Sequence, residues 1–221
     1  MSSWQLKTPI AFIIFNRPDT TARVFAEIAK AKPPKLLVVA DGARSNRQGE
    51  AEKVAATRAI IEQVNWPCEV ITNFSDKNLG CKNRVSTGID WVFEQVPEAI
   101  ILEDDCLPDP SFFRFCEEML EKYRDDQRIG MISGDNLQFG RRRNNDSYYF
   151  SRYVHIWGWA SWRDKWQSSY DVRMKKWPEV RDGNWLVDMV RNKKEASVWA
   201  SIFERTFNNK IDTWDYQWVF A

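Results

Sequence analysis

Short apolar runs alternate with longer amphipathic segments along the first 133 residues, and this alternation restricts the fold more than any other feature. The apolar runs span residues 9–15, 36–40, 68–72, 99–102 and 129–133. Runs of this length are typical of strands that are buried on both faces, and strands that alternate with helices form parallel sheets. The sequence therefore predicts an α/β protein, Rossmann-like, with a mostly parallel sheet and helices on both faces.

The segments between these runs have helical periodicity. Apolar residues recur at helical spacing over residues 24–29, 85–96 and 112–123, and a further helix is predicted around 51–64. After Gly134 the alternation stops. The aromatic stretch 148–162 is interpreted as a strand followed by a loop, and residues 185–190 and 196–207 as helices.

Three adjacent acids, Glu103, Asp104 and Asp105, directly follow the apolar run 99–102. Neighbouring carboxylates repel one another, so the cluster costs stability unless a cation neutralises it. The carboxyl ends of strands in an open α/β sheet face the ligand crevice, and Mg²⁺ or Mn²⁺ prefers carboxylate oxygens and often bridges to a phosphate. The cluster therefore indicates a metal site, and a solvated loop is the alternative.

Other polar residues also follow predicted strands: Asn16 and Arg17 after the first, Asp41 after the second, and Asn78 and Arg84 after the third. The carboxyl ends of parallel strands lie at one edge of a sheet, so these side chains are expected to converge with the acids. Each has a simpler interpretation. Asp41 can form a turn, Asn78 can begin an ordinary helix, and Arg84 can be a surface charge.

Charge and composition exclude several classes of protein. The chain carries 32 basic and 31 acidic residues, a net charge of +1, so no global field attracts nucleic acid. The basic run 141–143 is short and is interpreted as part of a solvated loop. No apolar stretch is long enough to span a bilayer, and residues 1–7 lack the pattern of a signal peptide.

The cysteines and glycines give further indications about the class of protein. Four cysteines without a CxxC pair fit a reduced, cytoplasmic protein of bacterial type. Peripheral attachment to the inner membrane is compatible with this expectation. Neither GxGxxG nor GxxxxGK[ST] occurs, which argues against a dinucleotide dehydrogenase and a P-loop NTPase. A nucleotide can still bind through a metal and basic side chains.

The residues at the predicted strand ends resemble those of GT-A nucleotide-sugar glycosyltransferases. Glu103-Asp104-Asp105, with the segment 108–113 behind it, is similar to the acidic metal motif of the N-acetylglucosaminyltransferase I branch and of family 2-like transferases. Segment 9–18 resembles the first strand and loop of these enzymes, and segment 78–84 resembles the element beside the diphosphate. The resemblance covers residues 8–135 and returns at 157–159 and 214–215.

The resemblance implies a role for each of these positions. It assigns the base, with uracil as the expected one, to Asp41, the flanks of the nucleotide to Asn16 and Arg17, and the neighbourhood of the diphosphate to Asn78 and Arg84. It places Asp104 near the ribose and the metal, counts Glu103 among the residues that bind the nucleotide sugar, and makes Asp105 the direct ligand of Mn²⁺ or Mg²⁺. Asp215 matches the place of the carboxylate base in inverting members. Asp212 lies close by in sequence, and either acid can instead cap the last helix.

The implied activity is transfer of a sugar from a nucleotide-diphosphate donor, UDP-linked by this resemblance, to a glycan or another hydroxyl acceptor in polysaccharide biosynthesis. Residues 1–135 are expected to bind the nucleotide sugar. Residues 136–221 are expected to form the acceptor half of the same domain, truncated at its C-terminus because the chain stops within an aromatic segment.

Two alternatives remain open. A sugar nucleotidyltransferase also uses a nucleotide, a metal and an α/β sheet, but it usually has a glycine-rich loop where this chain has Asn16-Arg17-Pro18-Asp19. A non-catalytic carbohydrate-binding module is suggested by the twelve tryptophans. For Trp157, Trp159 and Trp162 the core is the favoured location, with one of them at an acceptor site.

Overall fold

The computed structural model describes residues 4–142 and 145–221. Its elements, in chain order, are β1 (Ile10–Ile14), α1 (Pro18–Ala31), β2 (Lys35–Ala40), α2 (Glu50–Ala59) with a 3₁₀ turn (Ile60–Gln63), β3 (Glu69–Phe74), α3 (Gly80–Gln95), β4 (Glu98–Glu103), α4 (Pro110–Tyr123), β5 (Ile132–Ser133), β6 (Trp159–Trp162), α5 (Arg163–Ser169), α6 (Trp177–Asp182), α7 (Trp185–Val190), α8 (Lys193–Phe207) and α9 (Asp215–Phe220). Residues 1–3 and 143–144, which include part of the predicted basic run, lie outside the described residues.

The described strands form one mixed sheet of six strands in the order β3-β2-β1-β4-β6-β5. Strands β1 to β4 pair in parallel, as the alternation predicts. Strand β6 is antiparallel to both of its neighbours, so β5 again runs in the direction of β4. The α/β class is confirmed.

Two details of the prediction after residue 128 are wrong. Strand β5 is shorter than the predicted run 129–133, because the Ile129 N–H donates to the Asp126 carbonyl in a turn, at 3.2 Å. The stretch 148–162 has the opposite order from that predicted, with irregular backbone first and β6 last. Its early aromatic residues pack on α4 instead of pairing in the sheet, as the 5.9 Å and 5.6 Å ring contacts of Phe150 with Tyr148 and Tyr123 show.

Helices cover both faces of the sheet, as predicted. Alternate residues of β1 point to opposite faces. Phe12 belongs to an apolar cluster with residues of α1 and α4, whereas Ile13 belongs to another with residues of α3, α5 and α9. Every residue of β1 is buried, which accounts for its uninterrupted apolar sequence.

A third apolar cluster lies among α6, α7 and α8, with Trp177, Leu186 and Phe203 buried in it. Helix α9 touches both this cluster and the sheet. Trp218 packs in the same cluster as Ile13, on one face of the sheet, while Phe220 packs on the third cluster. The short last helix therefore ties the C-terminal helices to the sheet.

Candidate functional site

The order of the strands creates a switch point between β1 and β4. From β1 the chain moves outward through β2 to β3, and then returns to place β4 on the other side of β1. Open α/β sheets bind ligands in the crevice at the carboxyl end of such a point. Strand β1 leads there to Asn16 and Arg17, and β4 leads to Glu103, Asp104 and Asp105, with Ile13 level with Glu103 in the register. The structure thus brings these predicted residues together.

Arg17 pairs with two of the three acids. Its guanidinium donates to the buried carboxylate of Asp104, and its Nη1 donates to Asp105 Oδ2 at 2.9 Å. The second Asp104 oxygen accepts the Phe15 backbone N–H at 3.2 Å. Burial raises the pKa of Asp104, and Arg17 opposes that shift. The cation expected from the sequence is therefore supplied in part by the protein itself.

Glu103 remains the uncompensated member of the cluster. Burial, followed by the charges of Asp105 and Asp104, raises the pKa of Glu103 to about 7. The charge of Asp215, at the start of α9, adds to this effect. One guanidinium thus stands against four carboxyl groups, and this excess of negative charge favours a further cation.

Asp215 is held in position by its neighbours. Its Oδ1 accepts the Thr213 hydroxyl and, at 2.9 Å, the Tyr216 backbone N–H. Asp212 has a different place, because its Oδ1 accepts the Lys82 backbone N–H in the first turn of α3 at 3.1 Å. Of the two acids that the sequence left open, Asp212 therefore caps a helix, and it is α3 rather than the last one.

Cys81 is a residue of this crevice that the sequence did not single out. Cys81 is exposed at the surface, yet desolvation of its thiol by neighbouring atoms, followed by the charges of Glu103, Asp212 and Asp215, raises its pKa to about 11. A single cysteine outside a metal-binding spacing such as CxxC does not indicate a functional site from the sequence alone. Its only indication was its place in the segment 78–84, which the sequence had marked as converging on the site.

Asp41 and Asn78 form a bracket between β2 and α3. The Asp41 carboxylate accepts the backbone N–H groups of Leu79 and Gly80 at 2.9 and 3.1 Å, and the Asn78 amide at 3.0 Å. Asn78 also donates to the Gly42 carbonyl at 2.9 Å. These bonds fix the start of α3 at the carboxyl edge of the sheet. Contacts of Asp41 with a base and of Asn78 with a diphosphate stay predictions.

Arg84 is buried, so its interpretation as a surface charge is wrong. Its Nε donates to the Ala40 carbonyl at 3.1 Å, and its Nη2 donates to the Asn73 Oδ1 at 2.8 Å. Burial lowers its pKa. Arg84 therefore ties the ends of β2 and β3 together, and its contact with a diphosphate stays a prediction.

Asn16 belongs to a second network, whose centre the sequence missed. Its amide donates to the buried Glu50 at 3.0 Å, and Glu50 also accepts the Arg44 backbone N–H at 2.7 Å. The hydrogen bond from the Arg44 side chain is the main cause that lowers the pKa of Glu50 to about 2. The network holds the loop after β2 against the loop after β1, and so shapes one wall of the crevice.

The side chains at the switch point suit a hard divalent cation. Within residues 4–142 and 145–221, no group of three or more His, Cys, Asp or Glu side chains is arranged to hold a metal ion by itself. Mg²⁺, however, is commonly bound through one or two carboxylates together with water and substrate phosphates. Asp105 is a partly exposed carboxylate in a region of excess negative charge, and it offers the oxygen ligands that such ions prefer.

Most tryptophans serve the core. Seven of the twelve are buried: Trp66, Trp159, Trp162, Trp166, Trp177, Trp214 and Trp218. Trp157 differs, because it is 63% exposed and its backbone N–H donates to Asp135 Oδ2 at 3.3 Å. Gly158 beside it has a φ of +78°, and a Cβ there would lie 3.5 Å from Leu102 on β4. Trp157 is therefore the exposed member of the 157–159 motif.

Comparison with known protein families found no match, and comparison with curated proteins found none either. Among the helices of the described residues, none has the length and apolar character needed to cross a membrane. The four cysteines are all free.

Proposed function

We propose that the chain is a metal-dependent glycosyltransferase with a GT-A fold that uses a nucleotide-diphosphate sugar. Among the nucleotides, UDP is the expected one. The observation that carries the proposal is the convergence of Asn16, Arg17 and the three acids at the switch point between β1 and β4. Ligands of open α/β sheets bind at this place, and basic side chains together with a divalent metal bind a diphosphate well.

On the donor side, Asp105 would hold Mn²⁺ or Mg²⁺, which when bound supplies Lewis-acid neutralisation of the departing diphosphate. Arg17 keeps Asp104 and Asp105 in fixed positions and contributes one positive charge near the phosphates. Asp104 is assigned to the ribose side, and Glu103 is one of the residues proposed to bind the nucleotide sugar. Asp41, Asn78 and Arg84 set the position of α3 and of the strand ends around the nucleotide.

On the acceptor side, Asp215 is the proposed base. It takes a proton from the acceptor hydroxyl while that oxygen attacks the anomeric carbon, and the sugar–phosphate bond breaks in the same step with inversion. The charge of Asp215 adds to those of Asp105 and Asp104 in raising the pKa of Glu103, which supports a place near the acids. The exposed indole of Trp157 offers a flat apolar surface to a saccharide acceptor.

The two alternatives have less support. The carbohydrate-binding module rested on the number of tryptophans, and burial of seven of them accounts for most of that number. This chain lacks the glycine-rich loop that a nucleotidyltransferase usually has after its first strand, because β1 leads directly through Asn16 and Arg17 into α1 at Pro18.

The test is thermal stability with UDP, GDP, CDP or buffer, each with and without Mn²⁺. A ligand that binds only the native state raises the melting temperature by mass action. We expect a Mn²⁺-dependent rise with UDP, and its loss in Asp105→Asn. Asp125→Asn is the matched control, because Asp125 is an exposed acid in the turn after α4.

Absence of a shift with every nucleotide, in a protein that unfolds cooperatively, would contradict the proposal. So would an equal shift in Asp105→Asn. Release of pyrophosphate from a nucleoside triphosphate and a sugar phosphate would favour the nucleotidyltransferase. Glycan binding that needs neither nucleotide nor Mn²⁺ would favour the binding module.

A further inference from the structure

The segment between β5 and β6 exposes an unusual amount of apolar surface. Five large apolar side chains between residues 137 and 153 are exposed, and Phe139 and Phe150 are 88% and 66% exposed. The others are Leu137, Tyr149 and Tyr153. Contiguous exposed apolar surface of this kind marks a site of interaction with another molecule or with a membrane.

This segment is anchored at its base and on α4. At its base, the Gly134 N–H donates to the Gly158 carbonyl at 2.9 Å. Tyr148 lies with its hydroxyl 2.5 Å from that of Tyr123 on α4, and it also accepts a hydrogen bond from Lys122 at 2.6 Å. Phe150 contacts the rings of Tyr123 and Tyr148 on one side, and it is nevertheless 66% exposed.

A second set of contacts joins the segment to the C-terminal helices. Arg152 Nη1 donates to the Met189 carbonyl at 3.2 Å, and the Tyr153 hydroxyl donates to Glu195 at 2.7 Å. These contacts place Met189, which is 60% exposed, beside the segment. The apolar surface thus continues from the segment onto α7, and we call residues 137–142 and 145–153 with Met189 the aromatic surface.

The charge of the aromatic surface is positive. Its described residues include Arg141, Arg142 and Arg152 against the single acid Asp146, a formal charge of +2, whereas the whole chain carries +1. Arginines beside exposed aromatic rings are the combination that binds an anionic lipid surface, because the cations meet the headgroups and the rings enter the interfacial layer.

We propose that the aromatic surface docks on an anionic membrane. A nucleic acid would also attract the arginines and stack on the rings, but nucleic-acid binding relies on charge and stacking and would leave the aliphatic side chains of Leu137 and Met189 without partners. A lipid interface accommodates all of these groups. The inference goes beyond the proposed sugar transfer and does not depend on it.

The test is cosedimentation of the intact chain with vesicles of phosphatidylcholine alone or mixed with phosphatidylglycerol. We expect binding to the mixed vesicles only, weakened by added salt because exposed charges are screened. Phe139→Ser and Phe150→Ser should each lower the partition coefficient about tenfold, since each removes a large apolar side chain from the interface. Arg141→Glu should lower it as well.

Matched controls lie elsewhere on the protein. Val70→Ser changes a partly exposed residue of β3, at the opposite edge of the sheet from β5, and Arg23→Glu reverses an exposed charge on α1. Both should bind as the wild type does, and circular dichroism checks that each variant is folded.

Three results would overturn the proposal. One is the absence of binding to mixed vesicles by the folded wild type. Another is binding that Phe139→Ser and Phe150→Ser leave unchanged. The third is binding to the polyanion heparin without binding to vesicles, which would instead identify a surface for polyanions.

Discussion

At the residue scale, Arg17 compensates part of the charge of the acid cluster. Asp104 is almost completely buried, and it receives the Arg17 guanidinium and one backbone N–H. We expect Arg17→Gln to lower the free energy of unfolding by about 1–3 kcal/mol, because a buried charged group then loses a partner. Urea unfolding in a buffer with a chelator measures this loss without a contribution from divalent cations.

Two further variants sharpen that measurement. Arg23→Gln removes an exposed arginine from α1 and should change stability by less than about 0.5 kcal/mol. Asp104→Asn in the Arg17→Gln background should recover part of the lost stability, because it removes the uncompensated charge. Equal stabilities of Arg17→Gln and the wild type would show that Asp104 does not depend on Arg17.

Residue types in the sequence predicted where polar groups would converge but not what they would contact. Asp41 and Arg84 lie at the predicted edge, yet their hydrogen bonds go to the backbone of Leu79 and Ala40. Glu50 and Cys81 gave no signal, because their importance arises from partners distant in the chain or across the crevice. Local sequence patterns do not encode such pairs.

At the element scale, the position of α3 relative to β2 depends on a close approach at Gly88. A Cβ on this residue would overlap the Val39 Cγ1 on β2. Replacement of glycine by alanine normally stabilises a helix by about 1 kcal/mol. Here we expect Gly88→Ala to destabilise the protein by about 1–3 kcal/mol, because overpacking forces α3 away from the sheet. Urea unfolding measures the sign.

The matched control for that change is Gly130→Ala, whose added methyl group has no atom within 4 Å. It should be close to neutral. Shortening the facing residue in Gly88→Ala/Val39→Ala should make room for the methyl group, so the double variant should lose less than the sum of the single losses. A stabilising Gly88→Ala would mean that α3 lies farther from β2 than the structure shows.

Elements formed by strong local patterns were predictable, and those formed by tertiary packing were not. The apolar runs located β1 to β4 to within about two residues. Strands β1, β2 and β4 are buried almost throughout, whereas the edge strand β3 is largely exposed. Strand β6 was misplaced because the aromatic residues 148–150 have strand propensity but pack on α4. Helices α5 and α6 have seven and six residues, too few for a clear helical period.

At the scale of the whole molecule, the described chain should unfold as one unit because α9 belongs to two apolar clusters. Trp214 and Trp218 pack beneath the sheet, whereas Val219 and Phe220 pack among α6 to α8. Unfolding of the C-terminal helices would therefore uncover α9, and loss of α9 would uncover the indoles of the sheet. The expectation that residues 136–221 are half of one domain stays a prediction.

Trp218→Ala tests that coupling. The Trp218 ring lies 5.1 Å from that of Trp166 and 5.8 Å from that of Trp159, so its removal leaves a large cavity under the sheet. We expect a loss of about 3–5 kcal/mol. In the wild type, calorimetry should give one transition with equal calorimetric and van't Hoff enthalpies. Trp185→Ala, which truncates a partly exposed tryptophan of α7, should cost less than about 1 kcal/mol. Two separate transitions in the wild type would mean that the C-terminal helices fold independently and that α9 does not couple them to the sheet.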